Sequence, residues 1–217
     1  MLEFTDLSVR YGVGIEALNQ ANLSIPEGKV TSVIGGNGAG KSTLMRAASG
    51  ILSFHGGVVT SGDITFGGES LLGKTAPQIV EMGLVHVPEG RRIFGDLTVI
   101  ENLRAGGATV KSGKKRESEL KRVLELFPIL AERRNQRAGL LSGGQQQMLA
   151  ITRGMMSSPK TILLDEPTLG LAPQTVEQVA QVISQINEEG ITVVVVEQNA
   201  SMALSVSDFG NVIEQGK

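Results

Sequence analysis

The stretch Gly35-Gly36-Asn37-Gly38-Ala39-Gly40-Lys41-Ser42 decides the fold of this chain. It matches G-x-x-x-x-G-K-[ST] at every fixed position, and it joins a predicted strand, Lys29 to Ile34, to a predicted helix, Lys41 to Ser49. Glycines let backbone N–H groups close around an anion, and the helix that follows directs its positive end to the same place. The stretch therefore predicts a loop that binds the phosphates of a nucleoside triphosphate. A Gly-rich turn without a ligand is the alternative, and a small-molecule kinase or a GTPase would also carry this loop.

The side chains at the end of the loop have distinct expected roles. Lys41 is expected to reach the β- and γ-phosphates, and the hydroxyl of Ser42 is expected to bind Mg²⁺, with Thr43 completing the nucleotide contacts.

A second site of chemistry is predicted where an apolar strand, Thr161 to Leu164, runs into Asp165 and Glu166. We expect this strand to lie beside the strand of the phosphate loop, so that Asp165 would bind Mg²⁺, directly or through water. Glu166 would then polarise the attacking water as a general base. An acidic strand end without a partner is often only the start of a helix-capping loop.

Composition excludes several other classes of protein. The 217 residues suffice for one α/β domain, and a hydrophobic content of 41% supports a packed core. With a net charge of −2 there is no global positive field that would favour nucleic acid. The absence of cysteine excludes disulfides and thiolate chemistry. The N-terminus predicts no signal peptide, and no apolar run approaches the ~20 residues of a membrane helix, so any membrane role requires docking to an embedded protein.

The remaining segments alternate between strand and helix patterns. Further strands are predicted at Leu2 to Arg10, Ala21 to Ile25, Gly83 to Val87, Thr192 to Val196 and Phe209 to Ile213, with a hairpin at Gly56 to Gly68. Further helices are predicted at Thr75 to Met82, Lys114 to Phe127, Ser142 to Met156, Gln174 to Glu189 and Gln198 to Ser205. The two histidines, His55 and His86, lie in no metal-ligand spacing and are interpreted as structural or surface residues.

A short motif ahead of the acidic strand adds a second phosphate-binding surface. In Leu141-Ser142-Gly143-Gly144-Gln145, the serine can cap a helix while the two glycines leave bare N–H groups at its positive end. An ordinary helix cap would account for Ser142 but not for the Gly-Gly-Gln that follows. Together with the phosphate loop and the acidic strand, this motif resembles the signature of the ATP-binding cassette ATPases.

The resemblance implies a fold and a nucleotide site. It implies an α/β P-loop core, with a mostly parallel sheet flanked by helices, a small antiparallel β-lobe and an inserted helical lobe. One cassette domain would comprise a RecA-like core with the β-lobe, about 1–88 and 140–217, and a helical subdomain, about 89–139. ATP and Mg²⁺ would be the cofactors, and Gln145 would join the signature contacts. Tyr11 stands where the family carries an aromatic residue that stacks on adenine, although burial in the β-lobe would also explain a lone tyrosine.

Further segments resemble one branch, the LivF-type subunits of branched-chain amino acid importers. They are Val87 to Phe94, Leu97 to Val99, Glu101 to Leu103, Glu132 to Arg134, Gln136 to Gly139, Leu169 to Pro173 and Val196 to Ala200. ATPases of urea and short-chain amide importers share much of this pattern. Three rival interpretations come from outside the importers: a soluble cassette of translation or DNA repair, an exporter ATPase, and a nucleotide-binding module without turnover.

Three positions depart from the wider family while they agree with this branch. Glu89 stands where most cassettes have a glutamine that senses Mg²⁺ and water, and Gln198 stands where most have a histidine that contacts the γ-phosphate. Ala172 stands where many have an aspartate that crosses the dimer. Because Gln198 can donate a hydrogen bond but cannot carry a positive charge, we expect hydrolysis to persist with weaker γ-phosphate sensing.

The resemblance also implies partners and a location. A second cassette, either a paralogue or another copy, would share two ATP molecules across the interface, and two transmembrane permease subunits would dock on the helical lobe. A periplasmic or extracellular solute-binding protein would act indirectly. The chain would lie at the cytoplasmic face of the inner membrane, with no nucleic acid as partner.

Overall fold

Two sheets organise the computed structural model, which describes residues 1–217. The larger sheet contains β3 (Val30–Ile34), β6 (Leu84–Val87), β7 (Thr161–Asp165), β8 (Thr192–Glu197) and β9 (Phe209–Val212). All its pairings are parallel, in the order β6-β7-β8-β3-β9. The smaller sheet is antiparallel and contains β1 (Leu2–Tyr11), β2 (Ile15–Ile25), β4 (Gly57–Phe66) and β5 (Glu69–Ser70), in the order β2-β1-β4-β5.

Eight helices surround the sheets. They are α1 (Lys41–Ala48), α2 (Ala76–Met82), α3 (Val99–Gly106), α4 (Gly113–Leu126), α5 (Pro128–Glu132), α6 (Gly143–Met155), α7 (Pro173–Glu188) and α8 (Ala200–Val206), with 3-10 turns at Leu52–His55 and Ala138–Leu140. None of them combines the length and the apolar character that a membrane crossing requires. The predicted α/β class with a parallel sheet and a small antiparallel lobe is confirmed.

The parallel sheet separates two hydrophobic clusters. On β8, Val193 and Val195 belong to a cluster that includes residues of α3 to α7, whereas Val194 and Val196 belong to a cluster shared with the antiparallel sheet and α1. Successive strand residues point to opposite faces, and here both faces are covered. The unbroken valine run in β8 follows from this double burial.

The helices between β6 and α6 occupy the segment where the helical lobe is expected. Leu103 of α3, Leu120 of α4 and Leu130 of α5 lie in the same cluster as Leu149 of α6 and Ile162 of β7. The lobe therefore shares its apolar contacts with the core. Its limits as a separate unit, about 89–139, stay a prediction.

Two predictions about strands are wrong. Gly56 to Gly68 is not a hairpin but one long strand, β4, because the chain reverses only at Gly67 and Gly68, where φ is +60° and +83°. The strand that ends at Asp165 does not lie beside the strand of the phosphate loop, since β8 pairs with both and separates them.

Two boundaries also differ from the sequence-based prediction. β2 begins at Ile15 rather than Ala21, because Ile15 to Leu18 pair with the end of β1 across a short turn. The last helix begins at Ala200 rather than Gln198, since the side chain of Asn199 accepts the N–H of Met202 at 3.2 Å and caps the helix there.

Candidate nucleotide-binding site

The phosphate loop joins β3 to α1 and presents unpaired donors. Gly38 and Gly40 have φ of +79° and +106°, and a Cβ on Gly40 would lie 2.7 Å from the carbonyl oxygen of Ala17. Glycine is therefore required at position 40 by both conformation and space. Several backbone N–H groups of the loop and the first helical turn have no acceptor within the protein, among them those of Gly38, Gly40, Lys41, Ser42 and Thr43. This concave set of donors at a helix N-terminus fits a phosphate chain.

Lys41 lies at the centre of the loop, with 4% of its side chain exposed. Its ammonium donates to the carbonyl oxygens of Gly35 at 2.9 Å and Gly36 at 3.0 Å. It also lies 3.3 Å from Oε1 of Glu166. The loop and the acidic strand end thus meet at one buried positive charge.

Asp165 and Ser42 meet as expected for a magnesium site. The hydroxyl of Ser42 donates to Oδ1 of Asp165 at 3.2 Å. Burial raises the pKa of Asp165 to about 6, helped by the negative charges of Glu166 and Glu89, while the bond from Ser42 opposes the rise. Carboxylate and hydroxyl oxygens are ligands that Mg²⁺ prefers, and a cation here would compensate the buried negative charge. These residues therefore fit Mg²⁺ held together with nucleotide phosphates.

Glu166 adopts a strained backbone. Its φ is +46°, and its side chain is only 11% exposed. Its N–H donates to the carbonyl oxygen of Val196 at 2.9 Å, so the backbone is fixed to the end of β8. The carboxylate lies against Lys41, where the end of a bound triphosphate is expected.

Glu89 and Gln198 lie at the exposed margin of this region. Gln198 follows directly on β8, and since β8 lies between β3 and β7, it shares an edge of the sheet with the phosphate loop and Asp165. Glu89 follows β6, and its charge contributes to the raised pKa of Asp165. Both residues are exposed, and neither side chain has a hydrogen bond within the protein.

The signature motif opens α6. Ser142 is the N-cap, and its hydroxyl accepts the N–H of Gln145 at 3.4 Å while the side chain of Gln145 accepts the N–H of Ser142 at 3.1 Å. This capping box satisfies two donors and leaves the N–H groups of Gly143 and Gly144 without acceptors. A Cβ on Gly144 would meet the terminal methyl of Thr175 in α7, so a side chain there would force Thr175 to move.

Tyr11 contacts the phosphate loop directly. Its hydroxyl lies 3.4 Å from the hydroxyl oxygen of Thr43, and its ring packs beside Gly57 against the core of the antiparallel lobe. The half-buried ring thus belongs to the β-lobe and to the border of the site at once.

Sequence reasoning assigned no role to two further side chains near the site. Arg91 donates to Oε1 of Gln146 at 3.1 Å, so the segment after Glu89 is tied to the helix that begins at the signature. Glu197 is buried at the end of β8 and accepts two hydrogen bonds from Thr168. The sequence signal that could have identified Glu197 is an acidic residue directly after the four valines of β8.

Comparison with known proteins agrees with this geometry. The family model described as ABC transporter matches residues 18–169. The high-affinity branched-chain amino acid transport ATP-binding protein BraG of Pseudomonas aeruginosa is 46% identical over 217 residues, which span all of this chain and 90% of the relative.

Two solved structures extend the likeness to the whole fold. A cassette of an ABC transporter in its ADP conformation is 28% identical with a TM-score of 0.88, and the match covers 100% of this chain and 88% of that one. A dimeric cassette in a post-hydrolysis state, bound to ADP and Pi, is 26% identical with a TM-score of 0.81 and coverages of 100% and 95%. With its phosphate loop, acidic strand end and signature in place, this chain belongs to the ABC transporter family as one of its ATP-hydrolysing cassettes.

Proposed function

We propose that this chain hydrolyses ATP to drive an importer of branched-chain amino acids. The observation that carries the hydrolytic part is the meeting of the phosphate loop, Asp165 and Glu166 around Lys41. The 46% identity to BraG along the entire chain supports the solute class.

The roles proposed for the loop residues follow from their contacts. The unpaired N–H groups from Gly38 to Thr43 bind the phosphate oxygens, and the ammonium of Lys41 moves from its carbonyl partners toward the terminal phosphates. Ser42 and Asp165 would hold Mg²⁺, which when bound would neutralise part of the phosphate charge.

Glu166 is proposed as the general base. Its carboxylate accepts a proton from the water that attacks the terminal phosphorus, while the phosphate bond to the ADP oxygen breaks. Gln198 donates a hydrogen bond to the terminal phosphate from the end of β8, and Glu89, which follows β6, would help to hold Mg²⁺ and the water. The ring of Tyr11 stacks on the adenine, since it already borders the loop at Thr43.

A second cassette completes the site in this proposal. Gly143 and Gly144 bind the terminal phosphate of the ATP held by the partner cassette, which is a paralogue or another copy. The dimeric ADP- and Pi-bound relative supports such a pairing. Two permease subunits dock on the helices between β6 and α6, a solute-binding protein delivers the solute outside, and the cassettes lie at the cytoplasmic face of the membrane.

The solute assignment is tested by reconstituting the transporter in lipid vesicles with this chain, its permease subunits and purified solute-binding proteins. We expect ATP turnover to rise several-fold with binding protein loaded with leucine, isoleucine or valine. A binding protein loaded with urea or a short-chain amide should leave turnover at its basal rate. Stimulation by the amide-loaded protein alone would assign the chain to that other importer class.

A further inference from the structure

Glu197 is a buried carboxylate without a positive partner. Its residue is 3% exposed, and none of the ion pairs of the protein involves it. Its Oε1 accepts the N–H of Thr168 at 2.9 Å and the hydroxyl of Thr168 at 2.6 Å. Because burying a carboxylate that has only neutral partners is unfavourable, packing alone does not account for an acidic residue here.

The segment that Glu197 holds contains a strained residue. Glu166 has φ of +46° and precedes Pro167. A side chain with a Cβ disfavours the left-handed region, and a following proline further restricts the backbone. Such a conformation is unfavourable and persists only where surrounding contacts impose it.

The contacts that impose it come from one strand end. On one side of Pro167, the N–H of Glu166 donates to the carbonyl oxygen of Val196 at 2.9 Å. On the other side, Thr168 is held twice by Glu197. Pro167 itself has no N–H to contribute. Since β8 is the middle strand of the parallel sheet, both anchors are rigid.

We propose that Glu197 is a positioning residue for Glu166: through Thr168 it keeps the backbone of Glu166 left-handed and its carboxylate aimed at the nucleotide. The inference rests on the proposed role of Glu166 as general base. Glu197 touches neither the nucleotide nor the attacking water and acts only through the loop. It acts through two short hydrogen bonds that its Oε1 accepts from Thr168, at 2.9 and 2.6 Å.

Three variants test this role by steady-state ATP hydrolysis, which yields kcat and KM separately. Glu197→Ala removes the acceptor, and Thr168→Val removes the hydroxyl donor with little change of shape. Thr168→Ser restores the hydroxyl. The matched control is Thr31→Val, because the hydroxyl of Thr31 is buried and has no hydrogen-bond partner.

We expect kcat to fall about tenfold or more in Glu197→Ala and Thr168→Val, since small displacements of a reacting group are costly, while KM for ATP stays within about threefold. Thr168→Ser should recover most of the parent kcat, and Thr31→Val should match the parent. The double variant Glu197→Ala/Thr168→Val should be no slower than Glu197→Ala. Parent-like kcat in both single variants, or an equal loss of kcat and ATP affinity, would overturn the proposal.

A background variant separates this inference from the proposed function. In Glu166→Gln the base is absent, so adding Thr168→Val should leave the residual rate unchanged. If Glu166→Gln is as active as the parent, the proposed base is wrong and the positioning role fails with it. If Glu166→Gln is inactive while Glu197→Ala and Thr168→Val are fully active, only the positioning role fails. Hydrogen exchange gives a reading independent of turnover: amides of 166–171 should exchange several-fold faster in Thr168→Val than in Thr31→Val, and equal exchange would count against the proposal.

Discussion

At the scale of single residues, Lys41 links the two halves of the candidate site. Its ammonium has three partners: two loop carbonyls and the carboxylate of Glu166. A triphosphate offers the same ammonium a stronger set of charged acceptors, because hydrogen bonds to phosphate oxygens are charge-assisted.

Lys41→Ala should therefore weaken ATP binding by roughly 10- to 100-fold, as expected for a lost hydrogen bond to a charged group. Isothermal titration with a slowly hydrolysed ATP analogue measures this change. Lys41→Arg retains the charge and should lose less affinity than Lys41→Ala. An unchanged dissociation constant in Lys41→Ala would show that the loop binds phosphate without its lysine.

His86 is a titratable side chain that lies outside the nucleotide site. Its Nδ1 lies 3.1 Å from the hydroxyl of Ser49, and its Nε2 is shielded from solvent without a partner. Burial lowers the pKa of His86 from 6.5 to about 4, helped by the positive charge of Arg46. Above pH 6.5, His86 is neutral in both the folded and the unfolded chain, and its contribution to the free energy of unfolding is fully present. As the pH falls toward 4, the unfolded chain binds a proton that the folded chain does not, and this contribution is lost.

The parent should consequently lose about 3 kcal/mol more free energy of unfolding between pH 7 and pH 4 than His86→Gln does. Urea denaturation at both pH values measures the difference. His55→Gln is the comparison variant: His55 is exposed, and its charge is the smallest of the three causes that lower the pKa of His86, so most of the pH dependence of the parent should remain. Equal pH dependence in the parent and His86→Gln would contradict the proposed burial effect.

The residues proposed to carry the chemistry sit in short local motifs, so the sequence alone could point to them. Ser42 and Asp165 were each predicted to bind Mg²⁺, and the fold brings the hydroxyl and the carboxylate to 3.2 Å from each other. The left-handed backbone of Glu166 and its support by Glu197 could not be predicted, since they depend on contacts between segments about thirty residues apart that only the folded sheet brings together.

At the scale of elements, the crossing of α3 and α6 is unusually close. A Cβ on Gly106, at the end of α3, would clash with the backbone carbonyl of Arg153 in α6. The obstacle is backbone, so no side-chain rotation relieves it.

Gly106→Ala should lower the free energy of unfolding by about 1–3 kcal/mol through this overpacking. Gly113→Ala is the matched substitution: Gly113 begins α4, a Cβ there would meet only a flexible arginine tip at 3.7 Å, and alanine should be neutral or slightly stabilising. Chemical denaturation of both variants measures the effect. A Gly106→Ala protein as stable as Gly113→Ala would show that the two helices can separate freely.

Helices and strands could be predicted where the periodicity of apolar residues agreed with the flanking glycine and proline residues, as in α7 and β8. The pairing of β7 with β8 rather than with β3 was missed, because strand order depends on how helices cross over the sheet and not on any local pattern. The error on β4 has a different cause. A hairpin over Gly56 to Gly68 would need a turn inside that segment, but Gly62, with φ of +82° close to Asp6 of β1, marks only an irregularity in the pairing.

At the scale of the whole molecule, two cassettes must share each ATP in the proposed mechanism. Ser142 and Thr98 are both helix N-caps with capping boxes, so each alanine substitution should cost about 1 kcal/mol of stability. Only Ser142 lies in the signature. Ser142→Ala should therefore weaken ATP-dependent cassette pairing, measured by sedimentation, by about tenfold, and Thr98→Ala should leave pairing at the parent level. Equal behaviour of the two variants would place the interface elsewhere.

The most direct test of the hydrolytic mechanism is ATP turnover and ATP binding in Glu166→Gln. We expect hydrolysis to fall by about 10²- to 10⁴-fold, because the general base is lost while the shape of the site is kept. ATP affinity should change by less than about threefold, since the phosphate loop and Lys41 remain. A variant that binds ATP and hydrolyses it at the parent rate would contradict the assignment of Glu166 as the base.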